Sequence, residues 1–249
     1  MKQLLLICSL LLAISTQAAA STETPLEPIP VNLKDKAALQ RGAALFMNYC
    51  SGCHSLKYMR YSRMAEDLGL TTFSGEVDKD LLYNNLIFTE SKEHDPIQIA
   101  MPKDDARTWF GVEPPDLSLT AREKGSAWIY KYLTSFYADN TRPFGANNLL
   151  VPGVAMPNVL LPLSGRRIAV MDKVDGKEVI DYLQTVEQGE GTPQQFDSSV
   201  RDLVHFLVYV SEPARLTRYY VGSGVLLFLV IFLIPAYLLK KTYWKAVKK

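Results

Sequence analysis

Between Asp35 and Tyr49 apolar residues recur at Ala38, Leu39, Gly42, Leu45, Phe46 and Tyr49, a spacing that predicts one buried face of a helix. The period returns twice downstream. Trp128, Ile129, Tyr132, Leu133 and Phe136 form a stripe behind Ser126, which is placed to cap that helix. Val200, Leu203, Val204, Leu207 and Val210 or Ser211 form another, predicting a helix from Asp197 or Ser198 to about Val210. Between them, Ile168 to Leu183 centres on Asp175-Gly176 and predicts a β-hairpin with a tight turn. Gln188 to Pro193 is expected as a loop, and residues 21–33, with three prolines and no period, as an extended arm. No internal repeat is present. The fold class is mainly α, with small β-hairpin and loop insertions.

Two apolar runs lie outside these patterns. Residues 1–20 are expected to be a secretory signal: Lys2, an apolar Leu4 to Ile14, then Ala18-Ala19-Ala20 as small residues for cleavage. Val221 to Leu239 carries no charge over 19 residues, roughly 28 Å of helix against a hydrocarbon core of about 30 Å. Tyr219-Tyr220 and Tyr243-Trp244 flank it as interfacial aromatics, and Lys240, Lys241, Lys245, Lys248 and Lys249 follow. The expected organisation is a signal at 1–20, an arm at 21–33, a periplasmic domain at 34–217, a transmembrane helix at 218–240 and a basic cytoplasmic tail at 241–249. Pro235 would kink the span. Gly222-Ser223-Gly224 either admits a neighbouring helix or loosens the helix entry.

Charge adds little. The whole chain is +1, but 26 acidic and 21 basic residues fall within 21–220, a net of −5 there. That is mildly suited to a cationic partner and also ordinary for a soluble domain. Glu66, Asp67, Asp104 and Asp105 read as solvated faces rather than catalytic carboxylates.

Cysteine usage changes the picture. Of three cysteines, Cys8 would leave with the signal, so the mature chain keeps Cys50 and Cys53, followed directly by His54. Two thiols at this spacing can each add to a porphyrin vinyl group, and the adjacent imidazole can bind the iron axially, which is the haem c pattern. A structural zinc would need two further ligands, and only His94 and His205 remain. A thioredoxin-like CxxC should open a helix, whereas this one closes a helical segment.

The second axial ligand has several candidates: Met59, Met64, Met101, Met156, Met171, His94 and His205. Met59 and Met64 follow His54 too closely to reach the other haem face. Met101-Pro102 and Met156-Pro157 are the serious pair. Met156 lies in the rigid stretch Val151 to Pro157, and Met101 precedes Lys103, Asp104 and Asp105, so spacing favours Met156 without deciding.

The chain resembles the cytochrome c1 family in CSGCHSLKYMRY at 50–61, EPPDLSLTAR at 113–122, VAMPNVL at 154–160 and the single anchor with its lysine-aromatic tail. The resemblance implies a cytochrome c-like domain with one covalent haem c on Cys50 and Cys53, and His54 and Met156 as iron ligands. It places Pro115 against the His54 side and Arg122 near a haem propionate. It also implies a subunit of the proton-translocating quinol–cytochrome c oxidoreductase of a bacterial inner membrane, with no acid or base chemistry of its own. Its partners would be cytochrome b, the Rieske iron–sulfur protein as donor and a cytochrome c as acceptor, in a dimeric complex. Two other functions stay open: an anchored haem c shuttle or terminal-oxidase subunit, and an open-site ligand-binding or peroxidase-type haem protein.

Overall fold

A computed structural model describes residues 26, 27, 29–174 and 177–247. The signal at 1–20, the hairpin tip Asp175-Gly176 and the last two lysines lie outside the described residues. Along the chain run α1 (Lys36–Tyr49), β1 (Leu56–Arg60), α2 (Tyr61–Leu68), α3 (Lys79–Asn85), β2 (Pro96–Ile97), α4 (Lys103–Phe110), α5 (Thr120–Lys124), α6 (Ser126–Thr134), β3 (Phe136–Ala138), β4 (Ala146–Asn148), α7 (Leu161–Ser164), β5 (Arg166–Val174), β6 (Lys177–Glu187), α8 (Pro193–Ser211) and α9 (Arg215–Val247). The strands pair two by two, β1 with β2, β3 with β4 and β5 with β6, all antiparallel.

The core is organised by α1 against α8. Asp35 caps α1, its side chain accepting from Ala38 N at 3.0 Å. The buried face is Ala38, Leu39, Gly42, Ala43, Phe46 and Met47. Ala43 and Met47 thus join the expected face, while Leu45 and Tyr49 are only half-buried. This face meets α8 closely at Gly42, where a Cβ would collide with the Asp202 carbonyl oxygen and lie 2.7 Å from Phe206 Cβ. Beside it Arg41 Nε reaches Asp202 Oδ2 at 2.6 Å, and Phe46 packs on Phe206 with ring centroids 5.7 Å apart.

Helix α8 begins earlier than its apolar period predicts. Thr192 and Gln195 form a capping box with Pro193 in the first turn, so residues read as loop already belong to the helix entry. Val200, Leu203, Val204, Leu207, Val210 and Ser211 are all buried, as the stripe required. The expected cap of α6 is corrected. Gly125 occupies that position with no side-chain bond, and the Ser126 hydroxyl instead donates to Ile29 O of the N-terminal arm at 3.4 Å. His205 Nε2 meets Pro30 O at 3.0 Å, so the arm lies against both α6 and α8.

The expected hairpin is β5 and β6, in register from Val174↔Lys177 to Arg166↔Glu187 with two irregularities. Helix α9 is 33 residues long with Pro235 inside it. Its apolar window has a mean hydropathy of 2.4 with no residue buried, long and apolar enough to cross a membrane. The helix extends past both ends of the expected span, running on through Tyr243 and Trp244.

Candidate functional site

The thiol–imidazole motif sits where α1 ends. Cys50 is the C-cap, its N–H donating to Phe46 O at 2.9 Å, and the chain then turns tightly around the Cys50 carbonyl. That oxygen accepts from Cys53 N at 3.0 Å and from His54 N at 2.8 Å. Burial pushes the Cys50 thiol up to about 12, and raises Cys53 as well. A redox CxxC needs the opposite, a thiol lowered by a helix N-terminus or a cation. The placement at a helix end rather than a helix start agrees.

Residues 113–118 are tied to the chain that follows the motif. Leu117 N donates to Ser55 O at 2.9 Å, Lys57 N to Asp116 Oδ2 at 2.9 Å, and Tyr58 N to Ser118 Oγ at 3.2 Å. This lacing sets the Pro115 carbonyl 2.7 Å from His54 Nδ1. A carbonyl can only accept, so Nδ1 carries the proton and Nε2 keeps its lone pair. Burial lowers the His54 pKa, partly offset by Pro115 and Asp116, which keeps the ring neutral near pH 7.

Cys50, Cys53 and His54 open onto a cleft of about 440 Å³, within the ~300–1,000 Å³ usual for ligand and cofactor sites. Pro114 to Leu117 line it beside the imidazole, Trp128, Ile129, Tyr132 and Leu133 come from α6, and Leu203 and Leu207 from α8. Ala155, Met156, Pro157 and Val159 also line it. Trp128 stacks on Tyr132 with centroids 5.1 Å apart and planes 8° from parallel. The Tyr132 hydroxyl donates to Met156 Sδ at 3.4 Å.

The loop carrying Met156 is held by polar residues that apolar periodicity passes over. Asn148, fully buried, accepts from Leu150 N at 2.9 Å and Val151 N at 3.2 Å, and donates to Tyr132 O at 2.8 Å. Asn147 Oδ1 accepts from Gly153 N at 2.8 Å, and Arg142 donates to Gly153 O at 2.6 Å. The asparagine pair just before the Val151–Pro157 stretch is the sequence signal for this scaffold.

Of the candidate second ligands, Met156 lines the cleft and the others lie elsewhere. Met59 and Met64 are core residues, and Met171 is exposed on β5. Met101 is half-buried outside the cleft lining. His94 is exposed beside Ser62, and His205 holds the arm. Arg122 is exposed and also outside the lining, because Thr120, Glu123 and Lys124 present the cleft-facing side of α5. Two thiols, an imidazole with a free Nε2, a thioether and apolar walls together fit a covalently held haem.

Comparison with known proteins follows the same lines. The model of the cytochrome C1 family matches residues 29–247. A protein of Allochromatium vinosum named cytochrome c1 is 49% identical, over 99% of this chain and 100% of its own length. A protein of Nitrosomonas europaea named ammonia monooxygenase gamma subunit is 40% identical, over 96% of each chain. A solved chain titled hyperthermophilic respiratory Complex III aligns at a TM-score of 0.48 and 15% identity, covering 98% of this chain and 97% of its own.

Proposed function

This chain belongs to the cytochrome c1 family, and from that premise we propose that it is the membrane-anchored haem c subunit of a bacterial quinol–cytochrome c oxidoreductase. The observation that carries the proposal is the single cleft gathering Cys50, Cys53, His54 and Met156. Haem c, when bound, supplies a one-electron iron couple. Cys50 and Cys53 hold it by thioether bonds in a cytochrome c-like domain. His54 Nε2 binds the iron, oriented by the Pro115 carbonyl on Nδ1. Met156 supplies the second ligand, a pairing with histidine that raises the reduction potential. Trp128, Leu203 and Leu207 exclude water from the site. Arg122 is exposed and lies outside the lining, so the cleft lends no support to its expected place near a propionate.

Electrons enter from the Rieske iron–sulfur protein and leave to a cytochrome c, while quinol oxidation belongs to cytochrome b within a dimeric complex. Residues 1–20 direct export and α9 anchors the domain on the periplasmic side of the inner membrane. Acid–acetone extraction tests the attachment: the haem should stay with the polypeptide, and Cys50→Ala with Cys53→Ala should yield no holoprotein. A colourless pellet from the native protein refutes it. The name of the 40% identical Nitrosomonas europaea protein raises a second assembly around the same haem. Purification of the membrane complex separates the two by whether cytochrome b and the Rieske protein co-elute.

A further inference from the structure

Tyr132 is held on three sides. Its ring stacks on Trp128, meets Phe136 edge-on at 5.3 Å, and its carbonyl accepts from the buried Asn148. These contacts fix the ring, and its hydroxyl lies against Met156 Sδ at 3.4 Å. A phenol is protonated near pH 7, and a thioether sulfur has no proton to give, so the hydroxyl is the donor of this bond. A thioether sulfur has two lone pairs. One can bind iron while the other accepts a hydrogen bond.

We propose that Tyr132 is a positioning residue for the Met156 ligand, one that aims the sulfur and, by donating to its second lone pair, raises the reduction potential of the bound haem. The inference rests on ligation of the iron by Met156. Ferric iron, the electron-poorer state, depends more on donation from its ligands. Drawing density from the sulfur therefore destabilises ferric more than ferrous iron.

Tyr132→Phe removes the oxygen and keeps the stacked ring. Redox titration of the full-length holoprotein in its purified complex should show the ferrous-to-ferric ratio at fixed ambient potential falling about three-fold, ~28 mV at 59 mV per factor of ten. The near-infrared sulfur–iron band should persist at a shifted position. Tyr130→Phe is the control, since the Tyr130 hydroxyl bonds Asp197 and its side chain does not line the cleft. It should leave band and potential unchanged. A native protein with the band, whose potential Tyr132→Phe does not move, overturns the role of Tyr132 alone. A native protein without the band overturns Met156 ligation and this inference together.

Discussion

Met156 and Met101 are each followed by proline, their local sequence favours Met156 without deciding, and what surrounds them in the fold separates them. Asn147, Asn148 and Arg142 fix the backbone on one side of Met156, and Tyr132 meets its sulfur. With Met156 as iron ligand, Met156→Leu should abolish the near-infrared sulfur–iron band, admit exogenous ligands and lower the potential by at least about 100 mV, roughly fifty-fold against reduction. Met101→Leu should leave band and potential unchanged. The opposite result, measured by the same titration and spectrum, reassigns the ligand. Spacing alone leaves this pair open because it cannot show which loop reaches the cleft. Spacing hides the role of residues 113–118 for the same reason, since their bonds to Ser55, Lys57 and Tyr58 join positions about sixty residues apart, and only the family resemblance pointed to Pro115.

Among elements, the contact of α1 with α8 is the most restrictive. Gly42→Ala adds one carbon where the Asp202 carbonyl already lies. Alanine gains ~1 kcal/mol of helix propensity, but overpacking costs about 1–3 kcal/mol, more where the obstacle is backbone. The expected net is a loss of about 1–2 kcal/mol, a fall in thermal midpoint of about 2–8 °C by calorimetry. An unchanged midpoint would mean that the helices part without strain. The faces of α1 and α8 and the β5–β6 hairpin were legible because their apolar period is local. The early start of α8 was written in Thr192 and Gln195, but the glycine-rich run before them reads as loop. Strands β1 to β4 run from two to five residues and are held by distant partners, too short to leave a period.

At the scale of the molecule, the lysines at the end of α9, with residues 1–20 read as an export signal, predict a haem domain outside and a C-terminus inside. A reporter active only in the periplasm should work when fused after Arg218 and fail after Lys249, and the reverse pattern refutes the topology. The net −5 of residues 21–220 is ordinary for a soluble domain; were the acceptor proposed above cationic, encounter rates should fall as salt rises. One junction bears on how that acceptor is met. Only Glu212, Pro213 and Ala214 separate α8, which lines the cleft through Leu203 and Leu207, from α9. Three residues span at most about 11 Å when fully extended. With α9 in the bilayer, the cleft is leashed close to the membrane surface and has no reach of its own. In the proposed role, movement between donor and acceptor would then fall to the partners, and the subunit would act as a fixed relay station rather than a shuttle.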